Sequence, residues 1–206
     1  FSNTDVKVVE TGIEHGTITL ILNNQKFEVT TLRKDIKTDG RYAEVSFTDN
    51  WQLDSERRDF TFNAIYLDRK GKIFDPQLGL NDLKRGIVKF IGDPNKRIEE
   101  DYLRIIRFIR FALQYNHKEF EQSTLEAIKL NLNGIKNLSK ERIFSELLKI
   151  LRLKNFINIS KQKDLQNIFF LIFPEFRYFS RFEKLEEKYK LFELNEEIIL
   201  GIMLID

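Results

Sequence analysis

The stretch that most constrains this chain is residues 99–111, which read EEDYLRIIRFIRF and follow a proline-containing loop. A helix turns by about 100° per residue, so a helix over this stretch would gather the large apolar side chains on one half. The other half would carry most of the charges: Glu100, Asp101, Arg104, Arg107 and Arg110. The pattern therefore predicts a helix with one face in a core and a column of arginines beside carboxylates on the other.

That charged face has two interpretations. As a solvated surface it needs only the Glu100–Arg104 pair at i,i+4, which stabilises a helix by about 0.2–0.5 kcal/mol. As a binding surface it would use planar, forked guanidinium groups, which suit phosphate, carboxylate or a base edge. Lys outnumbers Arg 20 to 14 in the chain, yet all three cations on this face are Arg. This observation shifts the weight toward binding and leaves the solvated surface as the alternative.

Composition narrows the classes of protein that this chain can belong to. Its 206 residues suffice for one or two domains with a real core. No apolar run approaches the roughly 20 residues that cross a membrane, so we expect a cytoplasmic location and no membrane partner. The net charge of +2 permits a nucleic-acid partner without demanding one.

The chain contains no cysteine and two histidines, His15 and His117. Disulfides and thiolate metal sites are thereby excluded, and any metal would be a hard ion held by carboxylates. Because the chain opens on Phe1 and its one methionine is Met203, we expect it to be part of a longer protein.

The period of the apolar residues changes along the chain. Residues 17–22 and 26–31 are β-rich and flank a short polar turn, which predicts a hairpin; a strand at 43–47 is expected to join it, and 34–41 to form a loop. After Arg97 the period becomes 3.6, which places a domain boundary near residues 91–97. Helices are predicted at about 98–115, 119–132, 140–153, 163–172, 181–191 and 195–205.

Two polar sites in the β-rich part are candidates for function. Glu28 lies between Phe27 and Val29, so it points to the strand face opposite theirs. A solvent-facing strand Glu is the more frequent case, and a metal-binding or catalytic Glu is the alternative. Residues 57–59, Arg-Arg-Asp, form either a structural salt-bridge cluster or a turn that presents an Arg to phosphate and an Asp to a hydroxyl.

Several runs of the sequence, in order, resemble the class II tRNA nucleotidyltransferases, which are the CCA-adding enzymes and their bacterial poly(A) polymerase relatives. None of these runs is specific alone, but their order over residues 11–150 is a strong signal. Residues 151–206 match in helical character only. The runs are TGIEHGTIT at 11–19, FEVTTLR at 27–33, RRDFTFNA at 57–64, DPQLGLNDL at 75–83, EDYLRIIRFIRF at 100–111 and ERI at 141–143.

The resemblance implies an α+β fold: part of a polymerase-β-like nucleotidyltransferase head with a mixed sheet, followed by an all-α neck and body. The expected domains are a partial head at 1–94, a helical neck with the nucleotide-reading helix at 95–153, and the start of a helical body or RNA-binding domain at 154–206.

The resemblance also implies nucleotide-binding roles for six residues. Arg58 would contact the incoming nucleotide, with Asp59 near its ribose. The base would be read by Asp101 and Arg104. Support for the base and triphosphate contacts would come from Arg107 and Arg110.

The proposed base-reading pair has a chemistry that the residues themselves predict. Cytosine and adenine each offer an amine donor beside a ring-nitrogen acceptor, whereas uracil and guanine offer an oxygen acceptor beside an N–H donor. A carboxylate only accepts and a guanidinium only donates. Asp101 beside Arg104, about 60° apart on one helix, would therefore select CTP and ATP. A mispaired buried group costs about 1–3 kcal/mol, which is enough to reject UTP and GTP.

One expected part of the family pattern is missing from these residues. Nothing before Thr11 resembles the glycine-rich motif or the Asp-x-Asp pair that holds two Mg²⁺ ions in this family. We therefore expect the Mg²⁺ ligands mainly upstream of this chain, with Glu28 as a candidate third, catalytic carboxylate. The chain alone is expected to bind nucleotide weakly and to add none.

The sequence thus predicts part of an enzyme that transfers CMP and then AMP from CTP and ATP to a tRNA 3′ end. The first alternative is a poly(A) polymerase or A-adding enzyme on the same fold. The second is a non-catalytic RNA-binding remnant, or one half of a split enzyme complemented by an N-terminal chain that carries the missing aspartates.

Overall fold

The computed structural model describes residues 5–39, 42–115, 120–154, 156–176, 178–188 and 195–204. By their internal contacts the residues group into two compact units, Phe1–Arg58 and Asp59–Asp206. The predicted division at 94/95 and 153/154 uses different boundaries and stays a prediction.

The first unit begins with a three-stranded antiparallel sheet. Its strands β1 (Lys7–Gly12), β2 (Thr17–Leu22) and β3 (Gln25–Thr30) lie in that order. Between β2 and β3, Asn23 and Asn24 have φ values of 49° and 62°. Two-residue hairpins favour such left-handed pairs, and Asn tolerates them. The predicted hairpin is therefore confirmed.

A second, two-stranded antiparallel sheet follows, made of β4 (Arg33–Asp39) and β5 (Tyr42–Phe47). Two expectations are wrong here. The predicted loop at 34–41 is strand up to Asp39, with residues 40 and 41 outside the described residues, and the strand at 43–47 pairs with β4 instead of joining the first hairpin. A ribbon of two strands need not bury either face, so a polar strand carries little period-2 signal. The unit ends with α1 (Trp51–Glu56).

The expected mixed sheet is also wrong in its detail, although the α+β class is confirmed. Every strand pair among the described residues is antiparallel. The short connections explain this, since parallel neighbours need a crossover of about a dozen residues or more.

The second unit is mainly helical. It opens with a 3-10 turn at Thr61–Ala64 and the short hairpin of β6 (Tyr66–Leu67) and β7 (Ile73–Phe74). The described residues then form α2 (Gly79–Arg85), α3 (Pro94–Glu100), α4 (Leu103–Gln114), α5 (Gln122–Asn131), a 3-10 turn at Leu132–Asn137, α6 (Lys140–Leu151), a 3-10 turn at Phe156–Lys161, α7 (Lys163–Ile172), α8 (Phe179–Lys188) and α9 (Glu196–Leu204).

Aromatic and branched side chains form the core of this unit around α4. Phe60, Phe90 and Phe108 are almost fully buried, with ring centroids 4.8 Å apart for Phe60–Phe90 and 5.9 Å for Phe90–Phe108. The apolar half of α4 adds Ile105, Ile106 and Ile109, each 0% exposed. The predicted core face is confirmed, and α4 is a firmly packed support for the arginines on its other side.

The predicted helix at 98–115 is broken in its first third. α3 ends at Glu100 and α4 begins at Leu103. Between them, the Asp101 backbone is extended (φ −158°, ψ 105°), and its Oδ1 accepts a hydrogen bond from the Leu103 N–H at 3.1 Å. Asp competes with helical hydrogen bonding through such local contacts to the backbone. The break therefore falls at the acidic residue that the sequence placed inside the helix.

Candidate functional site

Asp54 is the centre of a charged cluster in the first unit, the Asp54 cluster, formed with Arg33, Arg57 and Arg58. The Asp54 side chain is 0% exposed. Its Oδ1 accepts from Arg57 Nε and Nη2 at 2.9 and 2.7 Å and from the Arg33 backbone N–H at 3.1 Å. Its Oδ2 accepts from Arg58 Nε and Nη2 at 3.2 and 3.0 Å. The predicted nucleotide contact Arg58 is therefore oriented by a buried carboxylate.

The Asp54 cluster contains three arginines and one aspartate, and the charge of Asp35 also acts on Arg33, so cations outnumber carboxylates among these five side chains. Burial, and then the nearby charge of Arg57, lower the pKa of Arg33 from its ordinary value. Such a surplus of cations favours an anionic ligand. Sequence reasoning missed Asp54, although its spacing of three and four residues from Arg57 and Arg58 was a usable signal.

Asp59, predicted to lie near a ribose, is the first residue of the second unit. Its carboxylate holds Arg107 of the same unit. Its Oδ1 accepts from the Phe60 N–H at 3.0 Å and from Asn63 Nδ2 at 2.9 Å. Its Oδ2 accepts from Arg107 Nε and Nη2 at 2.7 and 2.6 Å. This double contact fixes the plane of the Arg107 guanidinium.

Glu146 of α6 is the centre of a second charged cluster, the Glu146 cluster, formed with Arg107, Arg110 and Lys149. Its side chain is 4% exposed; Oε2 accepts from Arg110 Nε at 2.8 Å and Oε1 from Lys149 Nζ at 2.7 Å. Arg107 Nη1 lies 3.9 Å from Oε1. The guanidinium carbons of Arg107 and Arg110 also lie 5.4 and 3.9 Å from the centre of the Phe111 ring. The structure thus brings the two predicted arginines to one carboxylate.

Burial alone would raise the pKa of the Glu146 carboxyl. The hydrogen bonds from Lys149 and Arg110, together with their charges, outweigh that effect and hold this pKa below its usual value. Glu146 is therefore a buried anion stabilised by cations. The sequence did not single out Glu146, because Arg110 lies 36 residues earlier in the chain, a separation that no helical or strand period reports.

Asp101 and Arg104 do not form the adjacent pair that a continuous helix would give. Asp101 Oδ2 accepts from Arg142 Nη2 of α6 at 2.7 Å. Arg104 Nη1 donates to Glu100 Oε2 and to the Arg97 carbonyl, each at 2.6 Å. The predicted spacing of about 60° on one helix is wrong because Asp101 precedes α4, outside its helical turns. The role of the two residues in reading a base stays a prediction.

Glu28 lies on the exposed strand β3, opposite Thr19 of β2. Its neighbours Phe27 and Val29 pair with Leu20 and Ile18, so they share the other face of the sheet, as predicted. Across the described residues, no group of three or more His, Cys, Asp or Glu side chains could hold a metal ion. This part of the chain therefore does not fit a complete Mg²⁺ site around Glu28.

Within the described part of the chain, no helix combines the length and the apolar character that crossing a membrane requires.

The sequence matches two family models. Residues 1–89 match the "Poly A polymerase head domain", and residues 119–179 match the "Probable RNA and SrmB- binding site of polymerase A". The chain is 47% identical over 154 residues to the CCA tRNA nucleotidyltransferase 1, mitochondrial, of Homo sapiens, covering 73% of this chain and 36% of that protein. It is 42% identical over 147 residues to the CCA-adding enzyme of Streptococcus gordonii, covering 70% and 37%.

Solved structures agree with these matches. The Bacillus stearothermophilus CCA-adding enzyme in complex with CTP is similar with a TM-score of 0.66 at 31% identity, covering 76% of this chain and 38% of that one. A tRNA nucleotidyltransferase complexed with a primer tRNA and an incoming ATP analog has a TM-score of 0.69 at 24% identity, covering 98% and 60%, and shares the fold. The chain belongs to the family of tRNA nucleotidyltransferases and poly(A) polymerases. It spans little more than a third of the curated relatives named here.

Proposed function

We propose that this chain is part of a CCA-adding tRNA nucleotidyltransferase, which transfers CMP and then AMP from CTP and ATP to the 3′ end of a tRNA. The observation that carries the proposal is the pair Arg107 and Arg110 on one helix, held by the buried carboxylates of Asp59 and Glu146. Guanidinium groups fixed in advance suit a phosphate-bearing ligand, because little rotamer freedom is lost on binding. The names of the relatives favour CCA addition over the poly(A) alternative.

Base selection is assigned to Asp101 and Arg104. Both Asp101 oxygens already accept one hydrogen bond, and a carboxylate has about four acceptor positions, so the amine of cytosine or adenine fits beside them. Arg104 uses Nη1 for Glu100 and Arg97, which among the described residues leaves Nε and Nη2 for the ring nitrogen of the base. Uracil or guanine would set acceptor against acceptor and donor against donor.

Arg58, in the first unit, is proposed by itself as a contact to the incoming nucleotide, with its plane fixed by Asp54. Magnesium as cofactor, the tRNA 3′ end as partner and a cytoplasmic location also belong to the proposal. Glu28 stays a candidate catalytic carboxylate, and no step is assigned to a metal here.

The division into head (1–94), neck (95–153) and the start of the body (154–206) is part of the same proposal.

The test is nucleotide addition by the full-length protein to a tRNA that lacks its CCA end, with each of the four nucleotides in turn. We expect CTP and ATP to be used and UTP and GTP to be rejected. Asp101→Ala should lower the ratio of kcat/KM for CTP over UTP about tenfold or more, since one mispaired group costs about 1–3 kcal/mol. Asp164→Ala, which removes an exposed carboxylate from α7, is the matched control and should leave the ratio unchanged.

Two results would contradict the proposal. Incorporation of ATP without CTP would favour the A-adding alternative, and unchanged selectivity in Asp101→Ala would remove the base-reading role. The same assay on the 206-residue chain tests the prediction that it adds no nucleotide alone; activity on mixing it with an N-terminal chain would favour the split enzyme.

A further inference from the structure

Gly134 lies directly beneath the ring of Tyr102. A Cβ atom at Gly134 would come well inside 3.0 Å of three ring atoms of Tyr102: Cδ1, Cε1 and Cζ. Real Cβ atoms essentially never make such contacts. Tyr102 packs against the core of the unit with this ring. Only glycine therefore leaves space for the ring at this point of the 3-10 turn Leu132–Asn137.

Tyr102 is one of the two residues that link α3 to α4, and the other is Asp101. Once the Tyr102 ring is seated on Gly134, the backbone of the link has little freedom to rotate. The Asp101 carboxylate is then tied at both oxygens, to the Leu103 N–H and to Arg142 Nη2. Gly134 and Arg142 are eight residues apart in the chain and act on the same two-residue link, one by packing and the other by charge.

We propose that Gly134 is a positioning residue for base selection: by admitting the Tyr102 ring it sets the break between α3 and α4, and so aims the Asp101 carboxylate. Arg142 completes the positioning by holding one oxygen of that carboxylate. The inference rests on the proposed function, since it assigns a task to a residue that touches no base itself. A misplacement of about 1 Å in such a site costs up to about a hundredfold in rate.

The experiment uses Gly134→Ala in the full-length protein, with kcat/KM measured for CTP, ATP, UTP and GTP below the unfolding temperature. The added methyl displaces the Tyr102 ring, so we expect the CTP-over-UTP ratio to fall about tenfold or more. Gly201→Ala is the matched control, because a Cβ there meets nothing within 4 Å. It should leave both the ratio and the rates unchanged.

A second pair of variants keeps the test independent of a folding defect in Gly134→Ala. Tyr102→Leu removes the ring and leaves room for a methyl, so Gly134→Ala added to Tyr102→Leu should change the selectivity ratio by less than about twofold. Tyr102→Phe, which keeps the ring, should select like the natural protein. A mere loss of stability would lower the folded fraction and all four rates together, without moving the ratio.

Different outcomes separate the two claims. If the natural protein does not select CTP and ATP, the proposed function fails. If it selects them but folded Gly134→Ala selects equally well, or if the effects of Gly134→Ala and Tyr102→Leu multiply independently, then the positioning role of Gly134 is wrong.

Discussion

The Asp54 cluster and the Glu146 cluster have the same plan but assemble over different distances along the chain. In each, one buried carboxylate holds at least one arginine for which we propose a nucleotide contact. Asp54 takes its partners Arg57 and Arg58 from three and four residues further along. Glu146 takes Lys149 from its own helix but Arg110 from α4. The pairs of Asp54 with Arg57 and Arg58 therefore form within one short stretch of the chain, with Arg33 joining them from β4, whereas the second cluster depends on α4 packing against α6.

The two clusters also differ in how completely the carboxylate is surrounded. Asp54 accepts at least five hydrogen bonds, four from guanidinium groups and one from a backbone N–H. Glu146 accepts one from Arg110 and one from Lys149, and Arg107 stays at 3.9 Å. Removing Asp54 should therefore leave more buried charge without compensation than removing Glu146.

The largest expected effect is that of Asp54→Ala. Two arginines lose a fully buried partner, and breaking a buried pair costs about 3–5 kcal/mol. We expect the free energy of unfolding of the full-length protein to fall by about 4 kcal/mol in a denaturant titration. Glu56→Ala, an exposed change on the same helix, should cost less than about 0.5 kcal/mol. Equal effects of the two variants would mean that the Asp54 cluster stabilises nothing.

Glu146→Ala should have the next largest effect. We expect about 3 kcal/mol, the lower end of the range for a broken buried pair, because the half-exposed Lys149 can be hydrated again. Glu141→Ala, an exposed change in the first turn of α6, is the control and should cost at most about 1 kcal/mol through the helix dipole. A loss larger than that of Asp54→Ala would reverse the comparison between the clusters.

The same contrast explains how much could be predicted from the sequence. Local signals were sufficient for the β2–β3 hairpin, for the presence of a helix over the residues of α4 and for its buried face, because apolar period and turn residues are properties of neighbouring residues. The arginines at 107 and 110 stood out by their residue type. Their partner Glu146 did not, since the contact joins two helices far apart in the chain.

The break at Asp101 shows what the apolar period cannot predict, namely where a helix is interrupted. Apolar residues run through 98–115 at helical spacing, so the period alone predicts one helix. The Asp101 side chain instead accepts from the Leu103 N–H, and the ring of Tyr102 lies over Gly134, 32 positions later in the chain. A local hydrogen bond at Asp101 and a tertiary contact of Tyr102 thus act together where α4 begins, and the apolar period reports neither of them.

Acidification should remove the contribution of Glu146 to the free energy of unfolding. Cations hold the pKa of its carboxyl below the ordinary value in the folded protein, so the unfolded chain binds a proton at a higher pH than the folded one. Its stabilisation is complete above the ordinary carboxyl pKa of about 4.3 and is lost as the pH falls through the lower, folded pKa. The stability gap between the natural protein and Glu146→Gln should therefore close between neutral and acidic pH in parallel unfolding titrations. A gap that widens toward acid would contradict this assignment.

The smallest expected effect is that of Lys149→Met, which tests whether Lys149 or Arg110 is the main partner of Glu146. The Lys149 side chain is 50% exposed although Glu146 is buried, so Lys149→Met should cost about 1 kcal/mol, the upper end of the range for exposed ion pairs. The control is Arg152→Gln. Arg152 follows the last residue of α6 and forms an exposed ion pair with Glu196 of α9, so its loss should not shift the unfolding midpoint measurably. If Lys149→Met cost as much as Glu146→Ala, Lys149 rather than Arg110 would be the main partner of Glu146. Arg110 would then owe its place to the Phe111 ring instead of to the carboxylate.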